Sequence, residues 1–307
     1  VPEPKREAGE APVLVQYVPH GVNHTLWKNI TDEEGLKAVA AMRVRIFGKD
    51  ADNVKFVVMY NSRNIRRKMT SDIILAYREF LKTIPETDRP FCRLLLHTQP
   101  VDENGTDLLA VLRDLAPDVQ AVFSPDRLSA VEMVQLYNCA DVIISMTSNE
   151  GFGIGTLEAM MTERMIIANV TGGLQDQMGF VDEHGQLLDP EVHFNAEWDT
   201  NADGKYRQHG EWVIPLFPTN RALIGSPITP YIFDDRCSYT DAARAIREVY
   251  DMTPEERHRR GKLGREYALR PDVGMTAELM CDRLIKGIED TFARWAPKQK
   301  FGIYKGE

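Results

Sequence analysis

The sequence predicts an α/β fold: a mainly parallel sheet flanked by helices, with a long irregular insertion and helices at its C-terminal end. Three observations predict it. Short apolar runs of strand length recur along the first half of the chain, segments with helical spacing alternate with them, and one run leads through a glycine-rich turn into a helix. Alternating βα units of this length imply parallel strands covered by helices, with ligands at the C-terminal strand ends.

Taken in order, residues 1–12 are polar and proline-containing and read as a linker or tail. Strands are predicted at Val13–Tyr17, Val54–Tyr60, Arg93–His97, Val119–Phe123, Val142–Met146 and Met165–Val170. Thr31 with Glu34, and Ser129 with Glu132, have capping-box spacing. Ile73, Ile74, Tyr77, Phe80, Leu81 and Ile84 repeat at helical spacing and read as core. From about Gly179 to Asp235 the pattern lapses, with Trp212–Phe217 as its one strand candidate. Such a stretch serves as a lid, an acceptor contact, an oligomer surface or a solvated excursion. Asp234 and Asp235 within it read as a turn or helix cap, because no third ligand stands at metal-binding spacing. Helices return at Tyr239–Tyr250, Pro254–Leu269 and Met275–Trp295. One domain over 13–270 followed by a C-terminal helix and tail over 271–307 is the expected organisation.

Composition narrows the function classes. The 307 residues suffice for a substantial core, and a net charge of −9 argues against general affinity for nucleic acid or anionic membranes. No apolar run is long enough to span a membrane or suggest a signal peptide. Cys92, Cys139, Cys237 and Cys281 lack paired spacing and read as buried reduced thiols of a cytoplasmic protein. No metal site is expected. Among seven histidines only His20, beside a hinge-like glycine, stands out, and a core or surface role is its ordinary expectation.

The chemistry concentrates in SMTSNEGFGIGTLEAMM, Ser145 to Met161. Gly151, Gly153 and Gly155 let the backbone turn tightly between a strand and a helix predicted from about Ile154 to Arg164. The free N–H groups and positive dipole end of that helix suit a diphosphate. Glu150 precedes the helix and Glu158 lies one turn inside it, so the two carboxylates flank the anion site and can accept from sugar hydroxyls. A structural turn with two solvated glutamates is the plainer alternative. A dinucleotide fingerprint fits poorly, because the turn follows several strands and no acidic residue closes the next one. A second loop, in MYNSRNIRRK, places Arg63 and Lys68 beyond a strand, where a guanidinium fork and a point charge could neutralise a leaving diphosphate. A basic surface loop, with Arg66 and Arg67 in it, is the plainer alternative here.

These segments together resemble the donor-binding, C-terminal half of retaining GT-B glycosyltransferases, especially glycosyltransferase family 4, with glycogen synthases as more distant relatives. VPHGVN, Val18 to Asn23, looks like the segment entering that half, and SRNIRRK has the family's Arg-to-Lys spacing. LYNCADVIISMTSNEGFGIGTLEAM is similar to the signature with paired glutamates, and TGGLQD resembles the glycine pair that follows. The resemblance implies a Rossmann-like domain that binds a nucleotide sugar as substrate, with no metal and no other cofactor. It implies that Arg63 and Lys68 contact the diphosphate, Glu150 the donor sugar and Glu158 the ribose. Gly151, Phe152, Gly153, Ile154, Gly155 and Thr156 form the donor loop, with amides from Gly153 to Thr156 completing the phosphate site. Phe123 lies where relatives hold the base, partly through main-chain contacts. The implied reaction is front-face hexosyl transfer with retention, in which the departing diphosphate helps deprotonate the acceptor.

The chain departs from the family in one respect: only seventeen residues precede VPHGVN, where the family carries a first Rossmann-like domain. The expectation is the C-terminal part of a longer protein or one piece of a split enzyme, with a separate N-terminal domain or second subunit as partner. A non-catalytic nucleotide-sugar-binding or scaffold module is the alternative.

Overall fold

The computed structural model describes residues 14–194 and 200–295. Residues 1–12, expected to be linker or tail, lie outside them, as do Val13 and the expected C-terminal tail from 296 to 307. The strands are β1 (Phe56–Asn61), β2 (Cys92–His97), β3 (Ala121–Phe123), β4 (Val142–Ser145), β5 (Met165–Asn169), β6 (Val213–Leu216), β7 (Asn220–Leu223) and β8 (Phe233–Arg236). The helices are α1 (Glu33–Phe47), α2 (Thr70–Thr83), α3 (Leu108–Leu115), α4 (Ala130–Asn138), α5 (Ile154–Met161), α6 (Pro190–His193), α7 (Tyr239–Asp251), α8 (Pro254–Leu269) and α9 (Ala277–Arg294).

A six-stranded sheet has the order β3-β2-β1-β4-β5-β6, and every neighbouring pair in it is parallel. Alternation along the strands sends Val57, Met59, Ile143, Ile166 and Ala168 into one core layer, under α1, α4, α5 and α8. Val58, Tyr60, Leu94, Leu96, Ile144 and Ile167 enter the other, under α2, α3 and α7. Both faces are therefore covered, which is why these strands read as continuous apolar runs. Strand order reverses between β1 and β4, so the loops after those two strands diverge and leave a crevice at their C-terminal ends.

Several expectations change. Residues 14–17 form no strand; Val15 and Tyr17 are exposed, and the segment instead reaches an isolated parallel bridge between Val22 and Thr276. Asp32, not Thr31, caps α1, its carboxylate accepting from Gly35 N at 2.9 Å. The Ser129–Glu132 capping box is present at α4. The insertion is more ordered than expected: β6 joins the main sheet, and β7 and β8 form an antiparallel hairpin. Asp234 and Asp235 lie in β8, not in a turn or cap. Cys92, Cys139 and Cys237 are buried free thiols, whereas Cys281 is exposed. Among the described residues no helix is long and apolar enough to cross a membrane.

Candidate functional site: the cleft at the strand reversal

A cleft of about 410 Å³ opens between the ends of β1 and β4. Tyr60 and Asn61 line it from the end of β1, Ser62 just beyond it, Ser145 from β4, Lys68 and His20 from the connecting segments, and Glu150 to Thr156 from the turn into α5. Two sequence-predicted segments thus meet at one place because the sheet order reverses there.

The turn is shaped by close backbone packing. Gly153 has φ +88°, a left-handed conformation that glycine adopts without Cβ strain. The glycine pair of TGGLQD lies directly on the turn: Gly173 N donates to Glu150 O at 3.1 Å, and a Cβ on Gly173 would stand 2.2 Å from Gly151 O. No side chain caps α5, so its N-terminus presents backbone donors and a positive dipole end to the cleft.

Glu150 and Lys68 are joined across the cleft floor. Lys68 Nζ donates to Glu150 Oε2, Arg67 Nη1 reaches the same oxygen at 3.3 Å, and Gly151 N donates to Oε1 at 3.2 Å. Burial pushes the Glu150 carboxyl up, but Lys68 and Arg67 outweigh it and hold it below the ordinary value. Arg67 also donates to Asn149 O at 2.7 Å, while its own carbonyl accepts from Ser148 N at 2.8 Å. The two motif loops are therefore tied to each other as well as to the cleft.

Glu158 lies one turn inside α5, against Tyr137. The Tyr137 hydroxyl is 2.8 Å from Glu158 Oε2 and accepts from Asn61 Nδ2 at 2.8 Å. Burial raises the Glu158 pKa to about 7, partly opposed by the Tyr137 hydrogen bond. Asn61 lines the cleft, so this buried carboxylate connects to it through two hydrogen bonds.

Arg63 is placed differently. Its guanidinium forms a two-pronged contact with Asp102, Nε to Oδ2 at 2.7 Å and Nη2 to Oδ1 at 3.1 Å, and does not line the cleft. Phe123 ends β3 and packs half-buried on the second core layer, also outside the cleft lining. Sequence reasoning passed over Arg67, Tyr60, Asn61 and Tyr137. Arg67 sits in the basic run already singled out, but only tertiary contact distinguishes it from its neighbours. Asp234 and Asp235 diverge: Asp234 pairs with Arg236 at 3.0 Å, while buried Asp235 accepts from Thr171 Oγ1 at 2.8 Å. Among the described residues no three or more His, Cys, Asp or Glu are grouped to hold a metal ion.

No protein-family profile matches the chain. Over 131 residues, 42% of this chain, it is 26% identical to the trehalose synthase of Thermococcus litoralis, covering 31% of that protein. The sucrose-phosphate synthase of Thermosynechococcus elongatus superposes with a TM-score of 0.59 at 19% identity, over 90% of this chain and 52% of that one. Anabaena HepE, solved with UDP and glucose, superposes with a TM-score of 0.60 at 14% identity, over 90% of this chain and 57% of that one. The chain thus spans about half the length of these two solved structures, and its sequence match covers under a third of the trehalose synthase. At such identities the structural likeness is one of fold. In fold, the chain corresponds to the C-terminal half of a GT-B glycosyltransferase.

Proposed function

We propose that this chain is the donor-binding part of a cytoplasmic, family 4-like glycosyltransferase that transfers a sugar from a nucleotide-sugar donor with retention of configuration. One observation carries the proposal: at the strand reversal, an uncapped helix N-terminus, a lysine and a carboxylate face a single cleft. That combination provides for a diphosphate and for sugar hydroxyls at once. The reading is supported by HepE, which has this fold and was solved with UDP and glucose, and by the trehalose and sucrose-phosphate synthases.

In this reading the diphosphate lies over the backbone from Gly151 to Thr156, with Phe152 and Ile154 as the loop's apolar walls. Lys68 neutralises the charge that develops as the diphosphate leaves, and Glu150 accepts from hydroxyls of the donor sugar. Glu158 takes the ribose, and the base extends toward Phe123. Arg63 exchanges Asp102 for the diphosphate when the donor enters. The donor is a substrate, and the reaction needs no metal or further cofactor. The acceptor is held by a separate N-terminal domain or second subunit.

The test is thermal stability of the chain against uridine, guanosine and adenosine diphosphates and their sugars. A ligand at about one hundred times its Kd adds roughly 2.7 kcal/mol. Selective stabilisation by one base, lost in Lys68→Ala, supports the donor site; no response to any of them counts against it. For catalysis, Glu150→Gln in the assembled enzyme should abolish transfer while nucleotide binding is largely kept, and unchanged transfer would sink that role.

A further inference from the structure

We propose that His20 is a substrate-contacting residue of this cleft, its imidazole donating a hydrogen bond to the sugar-linked phosphate of the donor. This rests on the reading of the cleft as a nucleotide-sugar site.

The position of His20 is built into the fold. Gly21 leaves no room for a side chain, since a Cβ there would stand 2.1 Å from Thr276 O. Gly21 N donates to Met280 Sδ at 3.3 Å, and Ala277 N donates to Val22 O at 3.0 Å. Pro19, on the other side, is buried. The backbone around His20 is thus clamped to the start of α9, and His20 lines the cleft in a T-shaped contact with Phe152, centroids 5.3 Å apart and planes at 73°.

Charge and hydrogen bonding then identify what the ring can do. Among the described residues no hydrogen bond or ion pair engages the imidazole, whose one ring contact is with Phe152. Lys68, which also lines the cleft, is already joined to Glu150, and Arg63 is held by Asp102 outside the lining. A nucleotide sugar's diphosphate carries more negative charge than Lys68 and Arg67 offset once Glu150 is counted. The uncapped α5 supplies neutral backbone donors, and His20 supplies a further side-chain donor on the same cleft. Phe152 belongs to the same turn as Glu150, so in the proposed reading His20 stands toward the sugar end of the diphosphate. An exposed ring that served only to cover Phe152 could be replaced by any other ring, so the donor N–H is the feature to test.

The experiment measures Kd by calorimetric titration of uridine, guanosine and adenosine diphosphates and monophosphates on the full chain. It compares the unaltered protein with His20→Ala, His20→Phe and His20→Gln. A hydrogen bond to a charged group corresponds to a loss of about ten- to one-hundred-fold. The expected result is a loss of that size for the diphosphate that binds, in both His20→Ala and His20→Phe. His20→Gln, which keeps a donor, recovers much of it, and monophosphate affinity does not change. Undiminished diphosphate binding in His20→Phe overturns the proposal and assigns His20 a packing role. Parallel weakening of mono- and diphosphates also overturns it. If the unaltered chain binds none of the six nucleotides, the donor-site reading itself fails and this assignment falls with it, a pattern distinct from binding that ignores His20.

Discussion

Glu150 and Glu158 are one residue type in two opposed electrostatic settings. Lys68 and Arg67 keep Glu150 ionised, whereas Glu158, buried against a phenol, has a pKa raised to about 7. In the proposed site, Glu158 must be ionised to accept from both ribose hydroxyls. Nucleotide affinity should therefore climb as pH rises through about 7, and Glu158→Gln should remove that dependence in titrations on either side of it. Stability runs the other way. The folded value lies above the ordinary 4.5, so protonation favours the folded chain: this contribution is complete below about 4.5 and lost as pH rises through about 7. Melting temperature followed across that window should fall less in Glu158→Gln than in the unaltered chain. Both glutamates were legible in the sequence from their spacing around the glycine turn. Their opposite titration was not, because Tyr137 and Lys68 come from elements far away in the chain.

At the scale of elements, the turn into α5 depends on what is stacked upon it. Gly172 has φ +46°, and a Cβ there would stand 2.0 Å from Glu150 O. Gly172→Ala meets rigid backbone in a left-handed conformation, and should destabilise by about 2–4 kcal/mol. It should weaken nucleotide binding together with the melting temperature. The hairpin of β7 and β8 is tied to the same loops. Asp235 N donates to Ser148 O at 2.8 Å, and Asn169 Nδ2 donates to both Thr147 O and Asp235 O. Asp235→Ala removes the nearer of the two acceptors of buried Thr171 Oγ1, leaving Ser148 O at 3.3 Å, and breaks the ion pair with Arg221, at a cost of about 1–3 kcal/mol seen in chemical denaturation. The hairpin escaped the sequence for a physical reason. Every residue of β7 is exposed, so no apolar alternation marks it, and its pairing with β8 rests on backbone hydrogen bonds and on Arg221, which pairs with Asp235 at 3.2 Å and lies over the Phe233 ring. The boundaries of α8 and the cap of α4 were legible because local chemistry decides them: Pro254 in the first turn, and Ser129 with Glu132. Asp32 displaced Thr31 as a cap by reaching Gly35 N, a choice between adjacent residues that spacing alone does not resolve.

For the whole molecule, α9 stands apart: it buries none of its residues, yet Leu284, Ile285, Ile288, Phe292 and Trp295 form an exposed apolar stripe at helical spacing. Because these side chains are exposed, Phe292→Glu combined with Trp295→Glu should change stability by no more than about 0.5 kcal/mol per site. A clear fall in melting temperature would show that the stripe is packed. In the proposed enzyme this face receives the acceptor-binding half, so the same double substitution should reduce co-purification with it.

Read alone, the sequence determines the α/β class, most strand cores, and the membership of Glu150, Lys68 and the glycine turn in one candidate site. These follow from short-range periodicity and from residue types that carry their own conformational and chemical constraints. Only the tertiary structure decides that β1 and β4 are neighbours, that His20 joins the cleft, that Arg67 reaches Glu150, and that Arg63 rests on Asp102. It also makes Glu158 hard to ionise. Each of these depends on contacts between segments distant in the chain, and on burial, which no local pattern encodes.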